Sequence, residues 1–252
     1  VLFRSVNALD ASVTGNNNTA IGNSTLTENT SGASNLAVGY NALQLNTTGS
    51  NNVALGPLAL DANTTADANT AVGRASLSAN TTGASNVGVG YNTLVSSSTG
   101  NNNTAIGTDC LSSNTTGSNN VALGSQALDA NTTASNNTVV GYQAATTNTT
   151  GTLNVAVGYQ ALDTNSTGSN NVAVGSNALD ANITASNNTA VGHQALLANT
   201  TGTRNTAVGA NALDTSTTAS DNTAVGYQAL EFTTDRKSTR LNSSHQIISY
   251  AV

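Results

Sequence analysis

The sequence predicts an all-β chain, a parallel β-solenoid of thirteen rungs of 17 residues. Three observations carry this. Glycine recurs as Gly22, Gly39, Gly56, Gly73, Gly90, Gly107, Gly124, Gly141, Gly158, Gly175, Gly192, Gly209 and Gly226, thirteen copies spaced by 17 residues without insertion or deletion. A short fixed period marks units that bury their apolar surface only by stacking. In each copy the glycine ends an alternating stretch, N-[TV]-A-[VIL]-G, as in NVAVG from Asn171 to Gly175, and alternation is the strand signature. Each unit also carries one or two Gly and several Asn and Thr, all poor helix formers that favour turns.

The columns of the repeat assign a role to each position. Asparagine stands four residues before every corner glycine, as Asn18, Asn35, Asn52, Asn69, Asn86, Asn103, Asn120, Asn137, Asn154, Asn171, Asn188, Asn205 and Asn222. Like residues fall above like in a stacked array, so these amides are expected to form a ladder. The residue before Gly is always Val, Ile or Leu, and the fourth after it is Leu, from Leu26 to Leu230, except at Ala145. The third after it is small, with Ser76, Thr93 and Cys110 among the variants of Ala. A second short strand is expected around Ala178 and Leu179, followed by a second corner at N-T-T-[GA].

The two corners differ. The first glycine is never replaced, which implies positive φ or close backbone approach. The second becomes Ala66, Ala134, Ala185 and Ala219, so positive φ is not required there. Side chains alternate along the strand, so Val174 and Ala173 face opposite sides. Val and Leu are expected to fill the interior and the alanine column to face outward. One Val and one Leu per rung make a sparse core, so a second buried surface is expected. The alanine column is its candidate, a contact between copies of the chain.

Both flanks read differently. Residues 235–252 begin DRKSTRLNSSH, where Arg236, Lys237 and Arg240 crowd together in a chain that is only 7% charged. Asp-Arg-Lys-Ser can be encoded GAT CGG AAG AGC, and the codons that continue it look like a sequencing-library adapter. Val1 to Ser5 can be encoded by a string containing the reverse complement of those twelve bases. Residues 1–5 and 235–252 are therefore expected to be adapter translation and 6–234 to be the solenoid domain, a fragment lacking its natural termini. Within 6–234, two basic residues, Arg74 and Arg204, stand against eleven acidic ones, a balance that disfavours nucleic acid.

Little chemistry is legible. His193, the one histidine of the repeats, sits in the variable column after the corner glycine with no nucleophile or metal partner at a telling spacing. Cys110 occupies the small column as a buried thiol. Asp163 and Asp180 share a column on adjacent rungs, a spacing that could bring their carboxylates together on Ca²⁺, but two solvated turn carboxylates are the favoured reading. Asn46-Thr47-Thr48 and its copies match the N-glycosylation pattern, which a repeat with Asn-Thr turns generates by itself. No catalytic, cofactor-binding or metal-ligating residues are assigned, and no cofactor is expected.

The core N-[TV]-A-[VI]-G, as in NTAVG at 188–192 and NVAVG at 171–175, resembles the head repeats of YadA-type trimeric autotransporter adhesins and related arrays in phage tail fibres. The likeness implies a left-handed β-roll assembled as a homotrimer and displayed on a cell surface or a virion. It further implies a host, matrix or glycan receptor and no membrane contact by this segment. The adhesin heads have a period of about 14 residues, shorter than the 17 here. The expected function is a non-catalytic structural and adhesive fibre segment. Alternatives are an ice-binding or carbohydrate-binding solenoid, suggested for ice by ladders such as Thr47, Thr64 and Thr81, and, further off, a β-helical carbohydrate-active enzyme.

Overall fold

A computed structural model describes residues 7–9, 14–231 and 239–241. Its strands are β1 (Thr19–Ile21), β2 (Leu36–Val38), β3 (Val53–Leu55), β4 (Thr70–Val72), β5 (Val87–Val89), β6 (Thr104–Ile106), β7 (Val121–Leu123), β8 (Thr138–Val140), β9 (Val155–Val157), β10 (Val172–Val174), β11 (Thr189–Val191), β12 (Thr206–Val208), β13 (Thr223–Val225) and β14 (Thr239–Leu241). All lie parallel in one sheet in chain order. From β1 to β13 each residue pairs with the one 17 positions on, as Ala173 does with Ala190. At ~4.8 Å per strand, thirteen rungs form a rod roughly 60 Å long.

β14 lies within the flank read as adapter translation, and it pairs with β13 after 16 residues, Thr223 opposite Thr239. An open parallel edge offers unpaired N–H and C=O groups to any extended segment that follows it. The remainder of that flank, and residues 1–5, lie outside the described residues.

Each rung has one strand where two were expected. The segment after the corner glycine is a turn, because its second and fourth residues are left-handed, as Asn177 (φ 55°) and Leu179 (φ 53°) are. Leucine is rarely held in this region. Here its side chain is fully buried, and its N–H donates to the next rung, Leu179 to the Ala195 carbonyl at 3.0 Å. The corner glycines meet both conditions read from their invariance. All thirteen have φ between 128° and 142°. A Cβ on Gly175 would lie 2.6 Å from the carbonyl carbon of Gly192.

The faces of the strand are reversed from expectation. The alanines point inward and the valines outward: Ala156, Ala173 and Ala190 are fully buried within the single chain, whereas Val191, Val208 and Val225 are more than a third exposed. The reason is width. The strand packs directly on the leucine and small-residue columns, leaving space for a methyl group and little more.

Two substitutions in the repeat show how tight this packing is. Where the small column enlarges to Ser76 and Thr93, the strand residue opposite is Gly88, on which a Cβ would lie 2.5 Å from Ser76 Oγ. Where the strand alanine enlarges to Val139, the leucine of the same rung shrinks to Ala145, and both are buried in the common core. Interiors at crystal-like density tolerate volume-conserving exchange better than single changes.

This compensation makes a prediction. Val139→Ala alone opens a hole and Ala145→Leu alone overpacks, each costing about 1–3 kcal/mol. The double variant, which restores the common Ala and Leu pairing, is expected to unfold near or above wild type in denaturant titration. Additive losses would show that the two residues do not share space.

Candidate functional site

The interior is closed by polar ladders as well as by leucine. The invariant asparagine bonds in two directions. Asn154 Oδ1 accepts from the backbone N–H of Asn171 at 2.9 Å, and Asn154 Nδ2 donates to the Gly168 carbonyl at 2.8 Å. Asn18 begins the row at partial burial, and the other twelve are buried.

A second internal ladder was missed. The asparagine of N-T-T, read as a turn residue, is buried as well: Asn165 Nδ2 donates to Asn148 Oδ1 at 2.7 Å and to the Gly168 carbonyl at 3.0 Å. One corner carbonyl thus receives an amide from each ladder. Its recurrence in the repeat was the available signal. The same burial removes Asn46 and its copies from the surface that glycosylation requires.

This second row breaks twice, at Ser97 and Ser216, whose hydroxyls are too short to span rungs. Asn80 Oδ1 and Ser97 Oγ are buried without a hydrogen-bond partner, as are Asn199 Oδ1 and Ser216 Oγ.

The candidate reactive groups are dispersed. His193 is exposed beside the corner glycine. The Cys110 thiol donates to the Ala122 carbonyl at 3.2 Å, and burial pushes its pKa up to about 12, so the thiolate needed for reactivity is suppressed. Asp180 has its carboxyl raised above the ordinary 3.8 by burial first and by the charge of Asp163, against an Asn177 hydrogen bond that lowers it. Among the described residues, no group of three or more His, Cys, Asp or Glu gathers to hold a metal. The threonine ladder considered for ice is occupied, since Thr47, Thr64 and Thr81 hydroxyls donate to the carbonyls of the next rung at 3.0, 3.1 and 3.1 Å.

What faces solvent in an organised way is the outer face of the strands and the column after the corner glycine. The strand face carries two rows: Thr, Val or Leu before the alanine, and Val, Ile or Leu after it. Rung after rung of paired, in-register backbone holds these rows flat. Beyond the glycine bend, the variable column presents Tyr40, Tyr91, Tyr142, Tyr159 and Tyr227, all exposed.

No protein-family model matches the chain, and comparison with curated proteins and with solved structures finds no significant match to either. Among the described residues, no helix is long and apolar enough to cross a membrane.

Repairing the broken ladder is expected to stabilise the rod. Ser97→Asn supplies an amide that can donate to Asn80 Oδ1 as Asn63 does to Asn46 at 2.8 Å. Satisfying a buried acceptor recovers about 1–3 kcal/mol, read as a higher thermal midpoint. An unchanged or lower midpoint would mean that the serine site is already satisfied.

A second expectation concerns pH. Asp61 is also raised by burial, so both Asp61 and Asp180 bind a proton more tightly folded than unfolded. Their contribution to stability is full at low pH and is lost as pH rises through the raised folded values. Asp61→Asn with Asp180→Asn should therefore raise the midpoint at pH 7 and change it little well below the ordinary value of 3.8. The same gain at both values would contradict the assignment.

Proposed function

We propose that this chain is a non-catalytic structural and adhesive segment of a surface fibre, carried on a cell or a virion, in which copies associate through the outer strand face. One observation supports this most directly: the two outward rows of β-branched and aliphatic side chains run unbroken from Thr19–Ile21 to Thr223–Val225. At ~4.8 Å per rung and ~3.3 Å per residue the face measures roughly 60 by 10 Å. That is about 600 Å² of mixed Thr, Val, Ile and Leu surface, close to the ~800 Å² per partner of stable complexes.

The alanine columns are no longer the contact, because they fill each chain's own core. The valine face replaces them. Three copies are favoured by the resemblance of N-[TV]-A-[VI]-G to trimeric adhesin heads, and a flat face repeated without insertion suits side-by-side packing of rods. A catalytic reading has less support, since functional loops in such arrays usually enter as insertions between rungs and the period of 17 is uninterrupted from Gly22 to Gly226.

Light scattering tests the proposal. The wild-type chain is expected at three times 25.0 kDa. Val157→Glu, Val174→Glu and Val191→Glu together place charge in the contact, where an unpaired buried charge is costly, and are expected to give monomers. Glutamates at the exposed Thr150, Thr167 and Thr184 should leave the mass unchanged. A wild-type monomer, or a valine variant that stays associated, would overturn the oligomeric fibre.

A further inference from the structure

All five tyrosines among the described residues occupy one column, the position after the corner glycine, and they are 45–67% exposed. The fold does not need them there. Ser125, Ser176 and Ala210 fill the same position in rungs that close identically, each with its glycine in the same conformation. Five rings held in water therefore call for a role outside the chain.

The geometry restricts what that role is. Tyr142 and Tyr159 stack, with centroids 5.8 Å apart and planes 15° apart, and the positions on either side of the pair are Ser125 and Ser176. Each outer ring face thus borders a rung whose side chain is too short to cover it. At a rung spacing of ~4.8 Å, the space over each serine is one flat ring thick. Beside the tyrosines runs a row of amides: Gln143 Nε2 donates to Gln126 Oε1 at 3.0 Å, and Gln160 Nε2 to Gln143 Oε1 at 3.3 Å. Each link uses one of the two hydrogens on the amide nitrogen, which leaves the row able to bond hydroxyl groups.

Charge narrows the choice. Of the two basic residues of the repeats, Arg204 is paired with Asp221 at 2.6 Å and Arg74 lies over the Tyr91 ring at 5.5 Å. An acidic rod repels anionic polymers. Ring faces for the apolar side of a sugar and amides for its hydroxyls, on repeats with two basic residues against eleven acidic ones, together describe one ligand class.

We infer that the tyrosine column is a binding track for an uncharged polysaccharide, whose pyranose rings stack on the outer faces of Tyr142 and Tyr159 and bond the Gln126–Gln143–Gln160 amides. This rests on the adhesive-fibre reading and names its partner class. The track lies past the glycine bend from the valine face, so both surfaces serve one fibre.

Native gels cast with hydroxyethyl cellulose, laminarin, dextran or galactomannan, with carboxymethyl cellulose as the anionic counterpart, provide the test. The whole chain is expected to be retarded by at least one neutral polymer and less by the anionic one. Tyr142→Ala with Tyr159→Ala should weaken the apparent affinity about tenfold or more, and Tyr142→Phe with Tyr159→Phe should retain most of it. Alanine is native to the column at Ala210, so both variants are expected to fold, which their melting curves check. No retardation by any neutral polymer, or equal retardation of the alanine variant, overturns the inference. Light scattering on the same samples separates this from failure of the fibre: loss of retardation with the mass unchanged supports a sugar track. A fall in mass on alanine substitution would instead make the column a contact between copies and would overturn it.

Discussion

Apart from Asn80 and Asn199, whose Oδ1 atoms face the serine breaks, the buried asparagine amides bond through both nitrogen and oxygen, and the rest of the rod depends on that arrangement. The first ladder fixes the entry to every strand by accepting the next rung's backbone N–H, and the second fixes the far corner. Both converge on one carbonyl, as Asn154 and Asn165 do on Gly168. Few side chains could substitute. Aspartate lacks the donor, glutamine is longer by a methylene, and leucine leaves the corner carbonyl and the next N–H unsatisfied in a dry interior, where such groups are costly. The breaks at Ser97 and Ser216 show the same rule from the other side, since each strands an acceptor on the neighbouring asparagine.

With its polar groups satisfied internally, the chain needs only a thin apolar filling. A leucine and small residues per rung suffice, because rung-to-rung hydrogen bonds supply the continuity that a wide core supplies elsewhere. The consequence for function is a division of labour by column. Columns that face inward hardly vary, and some of their exceptions are compensated, as Ser76 and Thr93 are by Gly88. Those that face outward carry what differs between rungs: a face of Thr, Val, Ile and Leu on the strands and a mixed aromatic and polar column beyond the bend. A rigid rod displaying two such surfaces suits assembly and adhesion. Burial holds Cys110 as a thiol.

The period, the parallel stacking, the positive φ of the corner glycines and the first asparagine ladder were all legible in the residues. A 17-residue recurrence fixes which residues stack, and an unreplaced glycine signals a backbone that no other residue adopts. The second ladder was less visible, because Asn-Thr-Thr also reads as an exposed turn and burial of an amide depends on where the chain returns.

Three matters were decided only by the tertiary structure. Alternation in N-V-A-V-G separates two faces but does not say which is inside. That depends on how closely the returning segment approaches, and the left-handed Leu179 brings it near enough that only alanine fits. The same left-handed residues remove the second strand that a local reading of the Ala-Leu segment suggests. The pairing of Val139 with Ala145 joins positions whose volumes are coupled only once the rung has closed. Sequence by itself determined the period, the stacking register and the residues that recur at each corner. The inward and outward sense of each face required the closed rung, because burial is a property of the path between corners and not of any stretch along it.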